Sequence, residues 1–369
     1  MNERHISKRV ILAGGGHAHL AVLHRWAREP ARGEDRLLIT PQAHALYSGM
    51  VPGWMAGIYP AEALRIDLAE LAARAGAKLV PAEVTGLDAA RQCLTLSTGE
   101  VLDFDLLSLA TGGGIDLAPF AGSTATILPV RPVEGLISGW EAFLAAAPRQ
   151  PAIAVIGGGA AGVELALAAQ ARLAGAATVT LVCPRGDFLS GHHPRVRRQA
   201  RAALNRRGIA LRHGLAAGAP GGLGLDDGEL LPADLVLLAT GSRPPGWLAA
   251  SGLACSAQGF ALVGADLRSV SHPAVFAAGD IVERTDRPLP RSGVHAVKAG
   301  PVLAANLAAA LHGGTMQSYQ PGPRTLYLMS TADRRAIASW GGFALAGRAV
   351  WWLKDRIDRG FVRRQGRLG

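Results

Sequence analysis

The chain has 369 residues, a formal net charge of +10 and a composition in which 49% of the residues are hydrophobic. This length predicts two or three domains with a sizeable buried core. We expect no segment that crosses a bilayer and no signal peptide, because the N-terminus lacks an apolar core. Cys93, Cys183 and Cys255 form no CxxC pair, which argues against a disulfide scaffold, a zinc site and a redox-active dithiol. The expected location is therefore the reducing cytoplasm.

The first predicted unit is a strand, a glycine turn and a helix in residues 10–23, VILAGGGHAHLAVL. This order turns backbone N–H groups and the positive end of the helix dipole toward a pyrophosphate. His19 stands where a third glycine is usual, so we expect this helix to pack differently. His17 and His19 are two positions apart and have no acidic or cysteine partner nearby, so no metal site is predicted. The candidate cofactor-binding residues here are Gly14, Gly15, Gly16, His17 and Ala18.

The chain contains an internal repeat. Residues 94–112, LTLSTGEVLDFDLLSLATG, align without a gap with residues 223–241, LGLDDGELLPADLVLLATG. Each copy predicts a strand, a tight glycine turn, a second strand and a buried strand that ends in Ala-Thr-Gly. The ends of the two buried strands supply four further candidate cofactor-binding residues, which are Thr111, Gly112, Thr240 and Gly241.

A second glycine loop precedes the second copy, in residues 152–170, AIAVIGGGAAGVELALAAQ. Gly157 permits the tight turn, Gly159 the close approach of a phosphate, and Gly162 the close packing of helix on strand, with Ala160 at the helix start. One such loop is a weak signal, but two loops that are each followed by the same module indicate two nucleotide-binding domains. The alternative is a duplicated α/β protein that binds no cofactor.

A third motif, HPAVFAAGD in residues 272–280, predicts an apolar strand that ends in Gly279 and Asp280. With this motif the chain resembles the flavoproteins with two dinucleotide-binding domains, which include pyridine nucleotide-disulfide oxidoreductases and type II NADH dehydrogenases. The resemblance implies an α/β fold with two Rossmann-like domains, the second inserted in the first, and a small C-terminal α+β region. The implied limits are 1–130 and 251–318 for the FAD-binding domain, 131–250 for the NAD(P)-binding domain, and 319–369 for a C-terminal interface region.

The same resemblance implies FAD as the cofactor and NADH or NADPH as the electron donor. Gly279 and Asp280 would contact the ribityl chain or the adjoining phosphate of FAD. Arg131, at the entry to the second domain, is a further candidate for cofactor binding.

A narrower resemblance rests on YSGMVPGWMAGIYP (residues 47–60), LRIDLAELAARAGAKLV (residues 64–80) and the tail VWWLKDRIDRGFVRR (residues 350–364). These segments are similar to the flavoprotein that is found fused to selenide, water dikinase in some bacteria. Tyr47 and Ser48 are accordingly expected near the flavin. The chain carries no kinase segment, so a role in selenium metabolism is implied by association only.

The chain departs from the family pattern at three places. Cys183-Pro184-Arg185 follows a strand where an acid would favour NADH, so Arg185 either binds the 2′-phosphate of NADPH or lies exposed in a loop. Thr40 similarly replaces an acid that would hold the adenosine ribose of FAD. The first helix has no cysteine pair, so electrons would pass from the flavin directly to an acceptor.

Three residues are candidates for catalysis. The resemblance places Glu164 close to the nicotinamide and the flavin, where it would orient the ring or relay a proton. It also places the helix of residues 294–311 beneath the flavin, and on this helix His295 and Lys298 are three positions apart and share a face. Lys298 would stabilise a reduced flavin, and His295 would move protons to a quinone. The alternatives are a helix-dipole role for Glu164 and solvent exposure for His295.

The tail combines an apolar stripe at helical spacing, Val350, Leu353, Ile357 and Phe361, with tryptophans and basic residues. It predicts either a helix that lies on the inner face of the cell membrane, which favours quinone as the acceptor, or a helix docked on its own domain or in a homodimer, which favours a soluble carrier or a selenium or sulfur compound. A low-turnover flavin sensor is a third alternative.

Two clusters carry much of the positive charge, and they could attract nucleotides, anionic lipid or nucleic acid. One is the tail, and for the other we favour a solvated surface. Nucleic-acid binding is not predicted, because neither cluster has interleaved aromatic residues on a recognised fold. The second cluster comprises Arg195, Arg197, Arg198, Arg201, Arg206 and Arg207.

Overall fold

The structure is a computed structural model that describes residues 7–366. The first six residues, where the N-terminal segment begins, and the last three residues of the basic tail lie outside the described residues. Two five-stranded sheets with all-parallel pairing form the centres of the two large units. Apolar residues fill both sheets, because a parallel sheet is covered by helices or loops on its two faces.

The first part of the chain forms most of the first unit. Four of its strands pair in parallel, and three others form a separate antiparallel sheet. The first copy of the repeat comprises two strands of the antiparallel sheet and the parallel strand that follows them. The turn of this copy needs Gly99, whose φ is 83°. The elements are β1 (Arg9–Ala13), α1 (His17–Arg28), β2 (Asp35–Ile39), β3 (His44–Leu46), a 3₁₀ turn (Ser48–Met50), α2 (Val51–Met55), a 3₁₀ turn (Ala61–Leu64), β4 (Arg65–Asp67), α3 (Leu68–Arg74), β5 (Lys78–Val80), β6 (Val84–Asp88), β7 (Cys93–Leu96), β8 (Val101–Asp103), β9 (Leu106–Leu109) and a 3₁₀ turn (Ala118–Phe120).

The second part of the chain repeats this plan. Gly228, with φ of 87°, makes the turn of the second copy of the repeat. The elements are β10 (Thr126–Pro129), α4 (Val133–Ala146), β11 (Ala152–Ile156), α5 (Ala160–Arg172), β12 (Thr178–Cys183), α6 (Pro194–Arg206), β13 (Ala210–His213), β14 (Ala216–Ala219), β15 (Gly222–Leu225), β16 (Leu230–Pro232), β17 (Leu235–Leu238) and α7 (Gly246–Ala249). The order of the second large sheet is β10-β17-β11-β12-β13.

The chain then returns to the first unit through β18 (Ala261–Val263), β19 (Val275–Ala277), β20 (Val282–Arg284) and α8 (Gly293–His312). Strand β19 pairs in parallel with β9, which gives the first sheet the order β19-β9-β1-β2-β5. The second sheet therefore lies in the sequence between two strands of the first, which confirms the predicted fold class with one Rossmann-like domain inserted in the other. The residue limits of the domains stay a prediction.

Helix α8 has the length and composition of a membrane-spanning segment. Of the helices within residues 7–366, it is long and apolar enough to cross a membrane by length and composition, with a mean hydropathy of 1.3. In the fold, however, it packs along α1, where Gly300 lies against Ala18 and Ala21. Leu303 and Leu307 are fully buried. Its apolar character therefore belongs to the core of the first domain.

The C-terminal region contains a three-stranded antiparallel sheet, β21 (Leu326–Ser330), β22 (Ala336–Trp340) and β23 (Phe343–Gly347), followed by the long helix α9 (Arg348–Gly366). Helix α9 contacts this sheet and also reaches strand β4 of the first domain. The C-terminal region thus connects to the first domain through its last helix.

Helix α9 buries two charged side chains and exposes several large apolar ones. Lys354 and Asp358 are 7% and 5% exposed, whereas Trp352 is 66% exposed. The predicted apolar stripe is split, because Leu353 and Ile357 are 44% and 41% exposed. The other two members of the stripe, Val350 and Phe361, lie on the inner side.

The inward polar face is fixed by hydrogen bonds. Lys354 Nζ lies 2.7 Å from Asp358 Oδ2 and donates to the Gly49 carbonyl oxygen at 2.7 Å. Asp358 also accepts from the Tyr47 hydroxyl at 3.2 Å. Buried charges need such partners, and these partners exist only where α9 meets the first domain. The helix therefore docks by its polar side.

We predict that Lys354→Met loosens α9. The substitution leaves the Asp358 carboxylate buried without its cation, a change that typically costs about 3–5 kcal/mol. Native-state hydrogen exchange of the α9 amides should show this loss, and Lys354→Met/Asp358→Leu should recover part of it. Arg356→Met, which removes an exposed cation from the same helix, is the matched control. Equal exchange in Lys354→Met and Arg356→Met would contradict the prediction.

Candidate functional site

The first glycine loop lies tightly against the end of β9. A Cβ atom at Gly14 or Gly16 would collide with the carbonyl oxygen of Ala110. Gly14 also has a φ of 98°, which side chains rarely adopt. The loop can therefore pass this strand only with glycine, and it leaves the N-terminus of α1 open for an anion.

His19 explains how α1 tolerates the absence of a third glycine. Its side chain is buried, with Nδ1 2.7 Å from the Gly14 carbonyl oxygen and Nε2 2.8 Å from Ser108 Oγ. Burial lowers the pKa of His19 to about 4. A neutral imidazole thus ties the loop to β9, which is the different packing expected from the sequence.

The second glycine loop repeats the first. A Cβ at Gly157 would collide with the Ala239 carbonyl oxygen, and one at Gly162 with the Gly157 carbonyl oxygen. At Gly159, by contrast, no described atom lies within 4 Å of an added Cβ. The open space beside Gly159, at the N-terminus of α5, is where a phosphate can approach the backbone.

The two Ala-Thr-Gly segments have the same structural role. Ala110 directly follows β9 and lies beneath the first loop, and Ala239 directly follows β17 and lies beneath the second. The candidate residues that follow them, Thr111, Gly112, Thr240 and Gly241, therefore lie at the carboxyl edges of the two sheets, where ligands bind in open α/β folds.

Arg131 and Asp280 join the two domains beside the first loop. Arg131 Nη1 lies 2.6 Å from Asp280 Oδ2. The other carboxylate oxygen, Asp280 Oδ1, is buried and has no hydrogen-bond partner within residues 7–366, and the same is true of His17 Nε2. Buried polar atoms are normally satisfied, so these two residues fit the polar groups of FAD at this position.

An aromatic cluster lies next to these atoms. The ring of Tyr47 lies 4.6 Å from that of Phe361 and 5.7 Å from that of His17, measured between centroids. Burial lowers the pKa of His17, and the charge of Asp280 opposes this effect. The cluster brings the predicted residues His17 and Tyr47 together with helix α9, and a Cβ at Gly293 on α8 would lie against Ser48.

Glu164 lies on α5 one turn after the second loop and faces the C-terminal region. Its carboxylate accepts a hydrogen bond of 2.6 Å from the Ser330 N–H. Burial raises the pKa of Glu164 to about 7, while the charge of Lys354 opposes the shift and that of Asp358 adds to it. A carboxyl group with this pKa can hold or release a proton near neutral pH.

The structure separates the other two candidates for catalysis. His295 is 9% exposed, and its Nδ1 lies 3.0 Å from the Tyr319 hydroxyl. Burial and the charge of Lys298 lower the pKa of His295. Lys298 itself is exposed to solvent, as is Arg185 in the loop after β12. His295 and Lys298 were expected to share a face of the helix, but the His295 side chain points inward and the Lys298 side chain points to solvent.

Sequence reasoning missed the inner face of α9. Lys354 and Asp358 have the i, i+4 spacing of a helix ion pair, which is a usable signal, but the sequence interpretation treats the basic residues of the tail only as surroundings of an apolar stripe. Ser330 offered no signal, because it contributes only its backbone N–H to Glu164.

Comparisons with known proteins agree with this geometry. The family model for pyridine nucleotide-disulphide oxidoreductases matches residues 8–300. An NADH dehydrogenase-like protein of Mycobacterium tuberculosis is 33% identical over 240 residues, which cover 59% of this chain and 58% of that protein. Human ferroptosis suppressor protein 1 is 27% identical over 288 residues, 74% of each chain.

A solved structure shares the fold over almost the whole chain. The sulfide:quinone oxidoreductase of Aquifex aeolicus superposes with a TM-score of 0.80 and 17% identity, covering 97% of this chain and 92% of that one. With two glycine loops, a returning strand that is followed by Gly-Asp and a family match over residues 8–300, the chain belongs to the pyridine nucleotide-disulphide oxidoreductase family.

Proposed function

We propose that the protein takes a hydride from NAD(P)H onto FAD and passes the electrons, without a redox dithiol, to a quinone. The observation that carries this proposal is the pair of buried polar atoms beside the first glycine loop, Asp280 Oδ1 and His17 Nε2, which have no hydrogen-bond partner within residues 7–366. Bound FAD would supply the redox chemistry, accepting the hydride and releasing two electrons.

The cysteines support transfer without a dithiol. Cys93 lies on β7 of a small antiparallel sheet. The Cys183 thiol lies 3.8 Å from His213 Nδ1, and the Cys255 thiol donates to the Leu248 carbonyl oxygen at 3.6 Å. All three are free thiols, and none of these contacts involves another cysteine.

The chain's own residues would bind the cofactors and position a proton. The first loop and α1 would hold the pyrophosphate of FAD, and Asp280 with Arg131 would hold its ribityl or phosphate groups. The second loop, at Gly159 and the N-terminus of α5, would hold the pyrophosphate of NAD(P)H. The Glu164 carboxyl group would deliver a proton toward the acceptor, and Lys354 would limit the rise of its pKa.

Arg185 supports NADPH as the donor. The acid that would favour NADH is absent from the end of β12, and the exposed guanidinium is free to meet a 2′-phosphate. NADH remains the alternative donor, since an exposed loop arginine is also compatible with it.

A C-terminal apolar surface supports quinone as the acceptor. Strand pairing aligns Leu326 with Trp340, and Trp340 with Phe343. Arginines flank this surface, and Arg324 lies over the Trp340 ring at 5.9 Å. Such a surface suits contact with the cytoplasmic face of a membrane, where quinones dissolve. Its members, which are 39–66% exposed, are Leu326, Trp340, Phe343, Leu345, Trp352, Leu353 and Ile357.

A second candidate function is reduction of a soluble acceptor. The same surface would then join two copies in a homodimer, and the acceptor would be an electron carrier or a selenium or sulfur compound. The narrower resemblance to the flavoprotein fused to selenide, water dikinase supports this alternative. A sensor with little turnover would bind nucleotide but reduce its flavin slowly.

We expect NADPH to bleach the flavin of the purified protein rapidly under anaerobic conditions, and Gly159→Ala to weaken this response. The added methyl group occupies the space for the phosphate, so the nucleotide concentration for half-reduction should rise at least about tenfold, or about 1.4 kcal/mol. Gly191→Ala, at another position where nothing described lies within 4 Å, is the control. A flavin that neither NADH nor NADPH reduces would refute the proposed donor reaction.

The pH dependence of turnover should depend on Glu164. With a pKa of about 7, the carboxyl group is protonated below neutral pH, so transfer to quinone should fall as pH rises through about 7. Because the pKa of Glu164 is raised in the folded state, its protonated carboxyl group stabilises the fold at low pH. This contribution to the free energy of unfolding is lost as pH rises through about 7. Glu164→Gln should slow turnover by about 10²–10⁴ and flatten the profile. The exposed acid in Glu141→Gln is the control, and an unchanged profile in Glu164→Gln would rule out the role.

Vesicle binding should depend on the C-terminal apolar surface. Trp352→Glu/Leu353→Glu places two charges on it and should abolish co-sedimentation with phosphatidylglycerol vesicles, while reduction of the flavin by NAD(P)H stays normal. Leu215→Glu/Leu230→Glu changes two exposed leucines of the second domain and should leave co-sedimentation intact. A wild-type protein that stays in the supernatant and sediments as a dimer would favour the soluble-acceptor alternative.

A further inference from the structure

A cavity of about 120 Å³ lies between α6 of the second domain and the C-terminal sheet. Since a buried water needs about 10–15 Å³ by the same measure, this space holds several waters or a small anion. None of its lining residues belongs to the glycine loops or to the cluster around Glu164. The residues that matter for its chemistry are Gln199, Arg206, Thr331 and Arg335.

The polar groups of the cavity are only partly satisfied. The Gln199 side-chain oxygen is buried and has no hydrogen-bond partner in the described part of the chain. The Thr331 hydroxyl already donates to Asp333 at 2.6 Å. The orientation of a glutamine amide is an assignment, and exchanging its oxygen and nitrogen would point the NH₂ group at the cavity. An acceptor bound in the cavity would give this amide its missing partner.

The charge around the cavity is strongly positive. Arg206 and Arg335 make no ion pair within residues 7–366. Helix α6 carries five arginines and no acid over Pro194–Arg206. Residues 198, 202 and 206 follow one another at i, i+4 spacing, so Arg198 extends the row on which Arg206 lies. Helix α6 places this charge next to strands β22 and β23.

We propose that this cavity binds a phosphate group between Arg206 and Arg335. Guanidinium groups donate paired hydrogen bonds to phosphate oxygens, and the amide of Gln199, which also lines the cavity, would donate a further one. The residues that line the cavity include no acid, and the Asp333 carboxylate accepts a hydrogen bond from Thr331.

Two sources of the phosphate group share this chemistry. One is inorganic phosphate or a soluble phosphate ester, and the other is the headgroup of an acidic phospholipid. The second source rests on the proposed membrane contact, because β23 supplies Ala346 and Gly347 to the cavity and Phe343 and Leu345 to the C-terminal apolar surface. Both sets of residues belong to β23, so the cavity and that surface adjoin the same strand.

The test compares Arg206→Gln/Arg335→Gln with Arg28→Gln/Arg32→Gln in the FAD-loaded protein. The control removes two exposed arginines from the first domain and so matches the loss of charge. Calorimetry with inorganic phosphate measures the soluble source, and co-sedimentation with phosphatidylcholine vesicles, with and without phosphatidylglycerol, measures the lipid source. Reduction of the flavin by NAD(P)H should stay unchanged in both variants.

We expect the cavity variant to lose at least about tenfold in affinity for one of the two probes, while the control stays close to wild type. Gln199→Glu should weaken the same probe by placing a carboxylate in the cavity. Loss of phosphate binding alone identifies a soluble ligand, and loss of the phosphatidylglycerol dependence alone identifies a lipid. A wild-type protein that binds inorganic phosphate but does not co-sediment with vesicles would contradict the proposed membrane contact and would support this site as one for a soluble ligand. Equal behaviour of the two double variants toward both probes overturns the site.

Discussion

Most of the features that concern function depend on how the buried charges of α9 are paired. Lys354 and Asp358 are both almost fully buried and lie 2.7 Å apart. A buried pair is tolerated only with further hydrogen bonds, and these come from Gly49 and Tyr47 of the first domain. The helix must therefore dock by its polar side, which turns Trp352 and its apolar neighbours to the outside. The same pairing places a positive charge near Glu164 and limits the rise in the pKa of that carboxyl group.

The two nucleotide-binding units share the same packing contact. In each, the glycine loop packs against the carbonyl oxygen of the alanine that directly follows a buried strand, Ala110 in the first and Ala239 in the second. Only a residue without a Cβ fits at these contacts. Gly159, in contrast, has open space beside it, where a ligand can approach the backbone. Arg131 and Asp280 then connect the units at the carboxyl edge of the first sheet. The two glycine loops are thus packed by the same contact, and the Arg131–Asp280 pair links the two units.

Only the positions of the arginines in the fold show which of them could bind a ligand. The sequence predicts that the arginines of α6 form a solvated surface, and most of them are exposed in the fold. Arg206 differs because the C-terminal sheet places Arg335 across a cavity from it. The sequence does not predict that these two arginines lie close together, because their elements meet only through the packing of α6 against β22 and β23.

The sequence by itself determined the fold class, the repeat and the two glycine loops, because these depend on local periodicity and on backbone conformations that glycine alone adopts. It also indicated that residues 350–361 form a helix. Only the tertiary structure decided which face of that helix is buried, that Arg131 pairs with Asp280, and that His295 points inward while Lys298 points to solvent. Spacing along a helix shows which side chains share a face, but the partner that covers the face is supplied by distant segments, and the pKa of Glu164 follows from that burial.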